Sequence, residues 1–235
     1  MSQKLTESRS EWLSARKALL AKEKALTRMH DELSAERRAL PWLRVTEPYT
    51  FDTPDGAKTL SQLFEGHSQL VVYHFMFAPE WEVGCKSCSF WADSFNGAVE
   101  HLAQRDVRFT AVSRAPLPKL QAFQRRMGWT FSWMSSQASR FNFDFNVSFR
   151  PETLASGEAV YNYGPLGESN TEMPGFSVFA KDVRGDVFHT YGTYGRGIEV
   201  ANAAYQLLDI SPKGRDEDGL SFSMSWVRLR DQYGR

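Results

Sequence analysis

Leu5, Trp12, Leu19, Leu26, Leu33 and Leu40 recur every seven residues, and Leu13, Leu20 and Met29 widen the stripe. Around them the chain is rich in Ala, Glu, Lys and Arg and free of Gly and Pro, which predicts one long helix over residues 8–40. Pro41 ends it, because the residue before a proline is driven out of the helical region. A sustained seven-residue repeat is compatible with a coiled coil, and so with a homodimer through this arm. The companion positions Ser8, Ala15, Lys22 and Glu36 are mostly not apolar. The alternative is therefore an amphipathic helix lying across its own domain.

Beyond the arm the period changes. Val45 to Phe51 reads as extended, and Thr53-Pro54-Asp55-Gly56 is turn chemistry. A helical turn follows over Thr59–Phe64. Leu70 to Phe77 is β-branched and aromatic on both faces, the mark of a central strand. From Ser87, Trp91, Phe95, Ala98, Val99 and Leu102 share a helical face to about Gln104. Val107 to Val112 reads as a strand, Pro116 to Gly128 as a helix, and Thr130 to Met134 as another strand. Between Arg140 and Arg150, Phe141, Phe143, Phe145, Val147 and Phe149 alternate with polar residues, the period of a half-buried strand, with a well-packed loop as the alternative. Residues 151–172 form an insertion. Phe176 to Ala180 and Asp186 to Tyr191 flank Asp182-Val183-Arg184-Gly185, a hairpin signature, and Ile198 to Leu208 is a final helix. The order predicts an α/β sandwich with a mixed central sheet. Its parts are a helical arm (1–41), a domain (42–212) carrying the insertion, and a tail (213–235).

Composition narrows the function classes. The 28 basic and 28 acidic residues cancel, so no charge signal favours nucleic acid or an anionic membrane. No apolar run is long enough to span a bilayer, and the first residues are polar, so the expectation is a cytoplasmic protein. No Gly-x-Ser-x-Gly elbow is present. Gly192, Gly195 and Gly197 do not have dinucleotide-loop spacing.

The chain has two cysteines, Cys85 and Cys88, at the junction between the central strand and the helix that follows. Two thiols so close would close only a tiny ring, which adds little stability, so redox chemistry is the better reason for them. At the first turn of a helix, Cys85 is placed where unpaired N–H groups favour thiolate, and Lys86 adds a cation. Cys88, one turn on, is placed to resolve a mixed disulfide formed at Cys85. Half of a zinc site would need two further ligands, and the five histidines show no paired spacing. No metal and no cofactor are expected.

The strand–CxxC–helix segment, followed by Met173-Pro174-Gly175 ahead of Phe176–Phe179, resembles the thioredoxin fold. More narrowly, LPW at 40–42, YHFMF at 73–77, GCKSCSFW at 84–91, SRAPL at 113–117, MGW at 127–129, FNFDF at 141–145 and HTYGTYGRG at 189–197 are similar to one thioredoxin-like family of unknown function, usually labelled predicted dithiol–disulfide oxidoreductases. The resemblance implies that Cys85 is the nucleophile and Cys88 the resolving thiol. It also implies that Pro174 is the proline, cis in that fold, that lies against the dithiol. Thioredoxins carry a buried aspartate on the preceding strand, and strand-to-strand alignment puts His74 there, as a candidate base for the resolving thiol's proton; the alternative is a structural histidine satisfied within the core.

Trp81, Lys86 and Met173, next to the dithiol and the proline, and Tyr191, Tyr194 and Arg196, in the glycine-bearing turn, are the candidate substrate-binding residues. The second trio could equally brace the insertion, and Arg114 has a similar standing. The expected partners are a protein or small-molecule disulfide and an unidentified reductant. Two alternatives stay open. One is a thiol peroxidase with Cys85 oxidised to a sulfenate, although no threonine lies between Pro79 and Cys85. The other is a non-catalytic binding or assembly module.

Overall fold

The computed structural model describes residues 5–167 and 170–234. The chain divides into two compact units, Met1–Pro41 and Trp42–Arg235. The first is helix α1 (Arg9–Ala39). Ser8 caps it, its hydroxyl accepting the Glu11 N–H at 3.2 Å, and Leu40 leaves the helical region ahead of Pro41. Arg16 and Glu23, two turns apart, pair at 2.8 Å.

The second unit is built in chain order from β1 (Leu43–Arg44), β2 (Thr50–Thr53), β3 (Gly56–Thr59), β4 (Gln69–His74), α2 (Lys86–Ala92), α3 (Ala98–Ala103), β5 (Val107–Ser113), α4 (Leu117–Met127) and β6 (Ser132–Ser135). There follow α5 (Phe141–Asp144), α6 (Pro151–Ala155), the small hairpin β7 (Val160–Tyr161) and β8 (Gly164–Pro165), then β9 (Gly175–Lys181), β10 (Val187–Tyr194) and α7 (Ala203–Asp209). The main sheet runs β1-β10-β9-β4-β5-β6-β2-β3. Its centre, β4, β5 and β6, is parallel, and β9 and β10 add antiparallel strands beside β4. Two β-α-β crossovers, through α2–α3 and through α4, followed by an antiparallel hairpin and a last helix, make this a thioredoxin-like fold.

The sheet separates two cores. On one face Tyr73, Phe75, Phe77, Cys88, Trp91, Phe95 and Trp133 are buried together. On the other, Leu70, Val72, Val112, Met134, Phe141 and Phe179 form a second apolar cluster. Alternation along β4 decides which residue faces which core.

Three elements differ from the sequence pattern. The Phe alternation at 141–149 is not a strand but the turn of helix α5 and a loop. Phe141 and Phe145, four apart, meet with tilted rings 4.6 Å apart in the second core, while Phe143 turns outward beneath the Arg114 and Arg150 guanidiniums at 4.6 and 4.5 Å. Phenylalanines two apart therefore have separate environments, which a flat strand would not require. The helix after the dithiol breaks between α2 and α3. There the Asn96 side chain turns out to bond the Gly128 carbonyl and the Thr130 N–H, at 3.0 and 2.9 Å. Residues 213–235, separated as a tail in the sequence, belong to the second unit, where Val227 and Leu229 are buried.

Candidate functional site

Central strand β4 hands over to the dithiol through a loop that its side contacts hold in place. The Lys119 ammonium donates to the Pro79 and Trp81 carbonyls, both at 2.8 Å. Gly84 then passes so close to the first core that an added Cβ would lie 2.8 Å from the Phe75 ring and 2.9 Å from that of Phe123. Only a residue without a side chain brings Cys85 this near the sheet.

Cys85 is the N-cap of α2, and its sulfur accepts the Cys88 N–H at 3.4 Å. Its own N–H bonds the Met76 carbonyl at 3.1 Å, so the dithiol turn is stitched to the strand's exit. Hydrogen bonding from the Cys88 side chain, followed by that from the Cys88 and Ser87 backbones and opposed by burial, brings the Cys85 thiol from an ordinary 9.0 down to about 7. Cys88 is the reverse case. It is buried, its sulfur accepts the Met76 N–H at 3.4 Å, and burial followed by its contact with Cys85 pushes its pKa well up. Both cysteines are free thiols. One thiol is thus partly exposed and easily ionised, and its neighbour is dry and protonated.

A cleft of about 1010 Å³ opens beside the dithiol turn, lined by Tyr73, Met76, Ser87, Cys88 and Pro174 and, among its charged residues, by Arg196 and Arg215. The C-terminal segment bounds it. Glu217 Oε1 accepts from Tyr205 Oη at 2.9 Å, Trp226 Nε1 at 2.6 Å and the Met224 N–H at 3.0 Å, and Trp226 packs on Phe90 of α2.

The sequence-predicted residues divide. Cys88 and Pro174 share the cleft's lining while Cys85 caps α2 beside it, and no cis peptide bond occurs among the described residues, so the Met173–Pro174 bond is trans. Met173 donates its N–H to the Val147 carbonyl at 2.8 Å, which fixes the turn into β9. Trp81 packs partly exposed against the dithiol-side core. Lys86 donates to the Ser225 carbonyl at 3.4 Å, and no cation is among the leading causes of the Cys85 shift. The leading causes that lower this pKa are hydrogen bonds. Arg196 lines the cleft, its guanidinium paired with Glu199 at 2.8 Å. Tyr194 is buried and stacks edge-on with Tyr161 and Tyr163 at 5.6 and 5.7 Å, bracing the insertion. Tyr191 lies on β10 opposite Val178.

His74 is the main correction. It lies on the second-core face, its ring against Phe141 and Phe145 and its Nε2 bonded to Ser177 Oγ at 2.8 Å. Burial, then nearby His189, holds it down to about 3, so the ring is neutral and faces away from the dithiol. Successive strand residues point to opposite faces, and it is Tyr73 that faces Cys88.

Three residues escaped the sequence reading. Tyr73 lies under Cys88. Tyr161, from the insertion, donates to the Pro174 carbonyl at 2.6 Å and accepts the Gly195 N–H at 2.7 Å. Glu172, immediately before Met173-Pro174, is buried, bonded by Ser148 at 2.6 Å and Arg114 at 2.7 Å, and raised by burial to about 7. A charged residue adjoining the proline turn was the one visible signal. For the tyrosines the sequence offered none.

Fold and site together define a thioredoxin-like protein with a dithiol at the start of the helix after its central strand. The chain belongs to the family described as "Bacterial protein of unknown function (DUF899)", which it matches over residues 1–233. Similar solved structures include peroxiredoxin Q of Xanthomonas campestris, at 12% identity and a TM-score of 0.47, covering 68% of this chain and 93% of that one. Others are peroxidoxin BcpB of Mycobacterium tuberculosis (14%, TM-score 0.44, 70% and 97%) and a protein of Chlorobium tepidum described as "a putative Thiol:disulfide interchange protein DsbE" (14%, TM-score 0.42, 71% and 94%). No curated protein matches the chain. No helix among the described residues is long and apolar enough to cross a membrane.

Proposed function

We propose that the protein is a thiol–disulfide oxidoreductase. The observation that carries this is the asymmetry of the two thiols: Cys85 held at about 7 and partly exposed, Cys88 buried and held high. Cys85 thiolate attacks a disulfide RSSR′, forming Cys85–S–S–R and releasing R′S⁻. Cys88 then attacks Cys85 Sγ, closing the Cys85–Cys88 disulfide and releasing RS⁻, while its own proton goes to the departing thiolate. The substrate gains two electrons and the dithiol loses two. A thiol reductant reverses the enzyme's oxidation, which sets the reaction in a reducing compartment such as the cytoplasm. The cleft beside Pro174 is where the substrate's second half would lie.

Redox titration of the pair, with mass-spectrometric capture of partners on a Cys88→Ser variant, tests the reading. Reversible closure at a cytosolic potential and disulfide-linked partners on Cys85 support it. A pair that never closes defeats it, and so does Cys85-dependent consumption of peroxide without disulfide turnover.

A further inference from the structure

We infer that Tyr73 is the hydroxyl donor that stabilises Cys88 as a thiolate during resolution, a role that rests on the dithiol reading above. Resolution needs an anion at Cys88, the one place in the site where an anion is hardest to form. The thiol lies in an aromatic core, and its sulfur accepts one backbone donor, the Met76 N–H at 3.4 Å. A second donor must come from the same face of β4. Tyr73 is the residue in that position.

Its ring is fully buried and clamped by Phe75, Phe95 and Phe176 at centroid distances of 6.1, 5.1 and 4.9 Å. The clamp aims the hydroxyl at Cys88, where it donates to the backbone carbonyl at 3.4 Å and acts to lower the thiol's pKa against the larger effect of burial; as charge forms on the sulfur, rotation of the O–H about its C–O bond turns the same proton from the carbonyl to the thiolate. Tyr73 and Cys88 also share the lining of the cleft. The phenol's own pKa is pushed well up by burial. It therefore keeps its proton and acts as a donor, not as a base. In the step it serves, the Cys88 S–H proton ends on the departing thiolate, the Cys88–Cys85 S–S bond forms and the Cys85–substrate S–S bond breaks. Tyr73 keeps its O–H throughout.

An aromatic disulfide that releases a coloured thiolate at each step, 5,5′-dithiobis(2-nitrobenzoate), separates the two events in the full-length protein. Attack by Cys85 releases the first equivalent and resolution by Cys88 the second. In Tyr73→Phe the first phase should keep its rate and pH dependence. The second should slow by about ten- to a hundred-fold, the worth of a hydrogen bond to a charged group, and its pH midpoint should rise. Equal second phases in the two proteins overturn the role of Tyr73, as does a proportional slowing of both phases, which is what a merely structural residue would give. Absence of the first phase in the parent defeats the dithiol reading itself. Should Tyr73→Phe fail to fold, 3-fluorotyrosine at the same position keeps the packing and strengthens the donor. It should lower the second-phase midpoint, and an unchanged midpoint overturns the inference.

Discussion

Alkylation of Cys85 as a function of pH reads the central claim directly. A thiol with its pKa at an ordinary 9.0 is about 1% thiolate at neutrality, whereas one at about 7 is about half ionised, a gain of about 50-fold in reactive species. Lower basicity costs nucleophilicity. With a Brønsted slope of about 0.45, two units remove about eight-fold per thiolate, which leaves a net gain of about six-fold near pH 7. The rate should rise to a half-point near 7 and then flatten, whereas an ordinary thiol would still be climbing above pH 8. The leading cause is hydrogen bonding from the Cys88 side chain, so Cys88→Ala should move the half-point up while Cys88→Ser, which keeps a donor, should move it less. The assay is timed iodoacetamide labelling from about pH 5 to 10, quenched and mapped by peptide mass. Labelling at Cys85 with a half-point at or above about 8.5, or Cys88 reacting first, would show that Cys85 is not the activated thiol.

Other consequences are independent of the dithiol. His74 is held at about 3 against an ordinary 6.5, so its contribution to stability is complete above 6.5 and drains as pH falls towards 3. The unfolded chain binds that proton first, at a cost of about 2 kcal/mol by about pH 5, and His74→Leu should remove this share of the acid loss in urea titrations; an undiminished loss would count against it. Gly84→Ala forces a Cβ to within 3 Å of two buried rings and should cost about 1–3 kcal/mol in the same assay, so unchanged stability would contradict the close approach. The apolar stripe of α1 admits either a coiled-coil dimer or a lone amphipathic helix: a dimer mass in sedimentation that falls to monomer in Leu26→Lys would establish the first. A monomer mass at every concentration would establish the second.

How far the chain was legible depended on how local each signal is. Helix α1 is written in its own residues, from the Ser8 and Glu11 pair at its start to Pro41 at its end. The strands β4, β5, β9 and β10 and the CxxC turn are equally local. Which neighbour on β4 faces the dithiol is a different matter. Leu70 to Phe77 is apolar on both faces, so nothing in its pattern separates Tyr73 from His74, and alignment by one residue exchanges the two cores. The phenylalanine run misled for the opposite reason. Its period-two pattern is real, but Tyr49 Oη donating to Asp144 at 2.9 Å and the Arg114 and Arg150 guanidiniums over Phe143 are long-range partners, and together they favour a turn. Tyr161 reaches Pro174 from an insertion whose packing no local pattern announces.

Hydrogen bonds and a neighbouring cation would leave different electrostatic signatures at Cys85. A lysine beside the nucleophile invites an account through charge, and charge at a partly exposed position would be screened by salt over about 8 Å at physiological ionic strength. Here the ammonium is held at the Ser225 carbonyl, and the Cys85 thiolate is favoured by the Cys88 side chain and by the Cys88 and Ser87 backbones. Hydrogen bonds at contact distance have no room for intervening ions, so salt has little purchase on them. Raising ionic strength about ten-fold should then leave the Cys85 half-point in place within a few tenths of a unit. Lys86→Gln should do the same. A half-point that climbs with salt in the parent, and not in Lys86→Gln, would return the lysine to the centre of the mechanism and displace the hydrogen bonds.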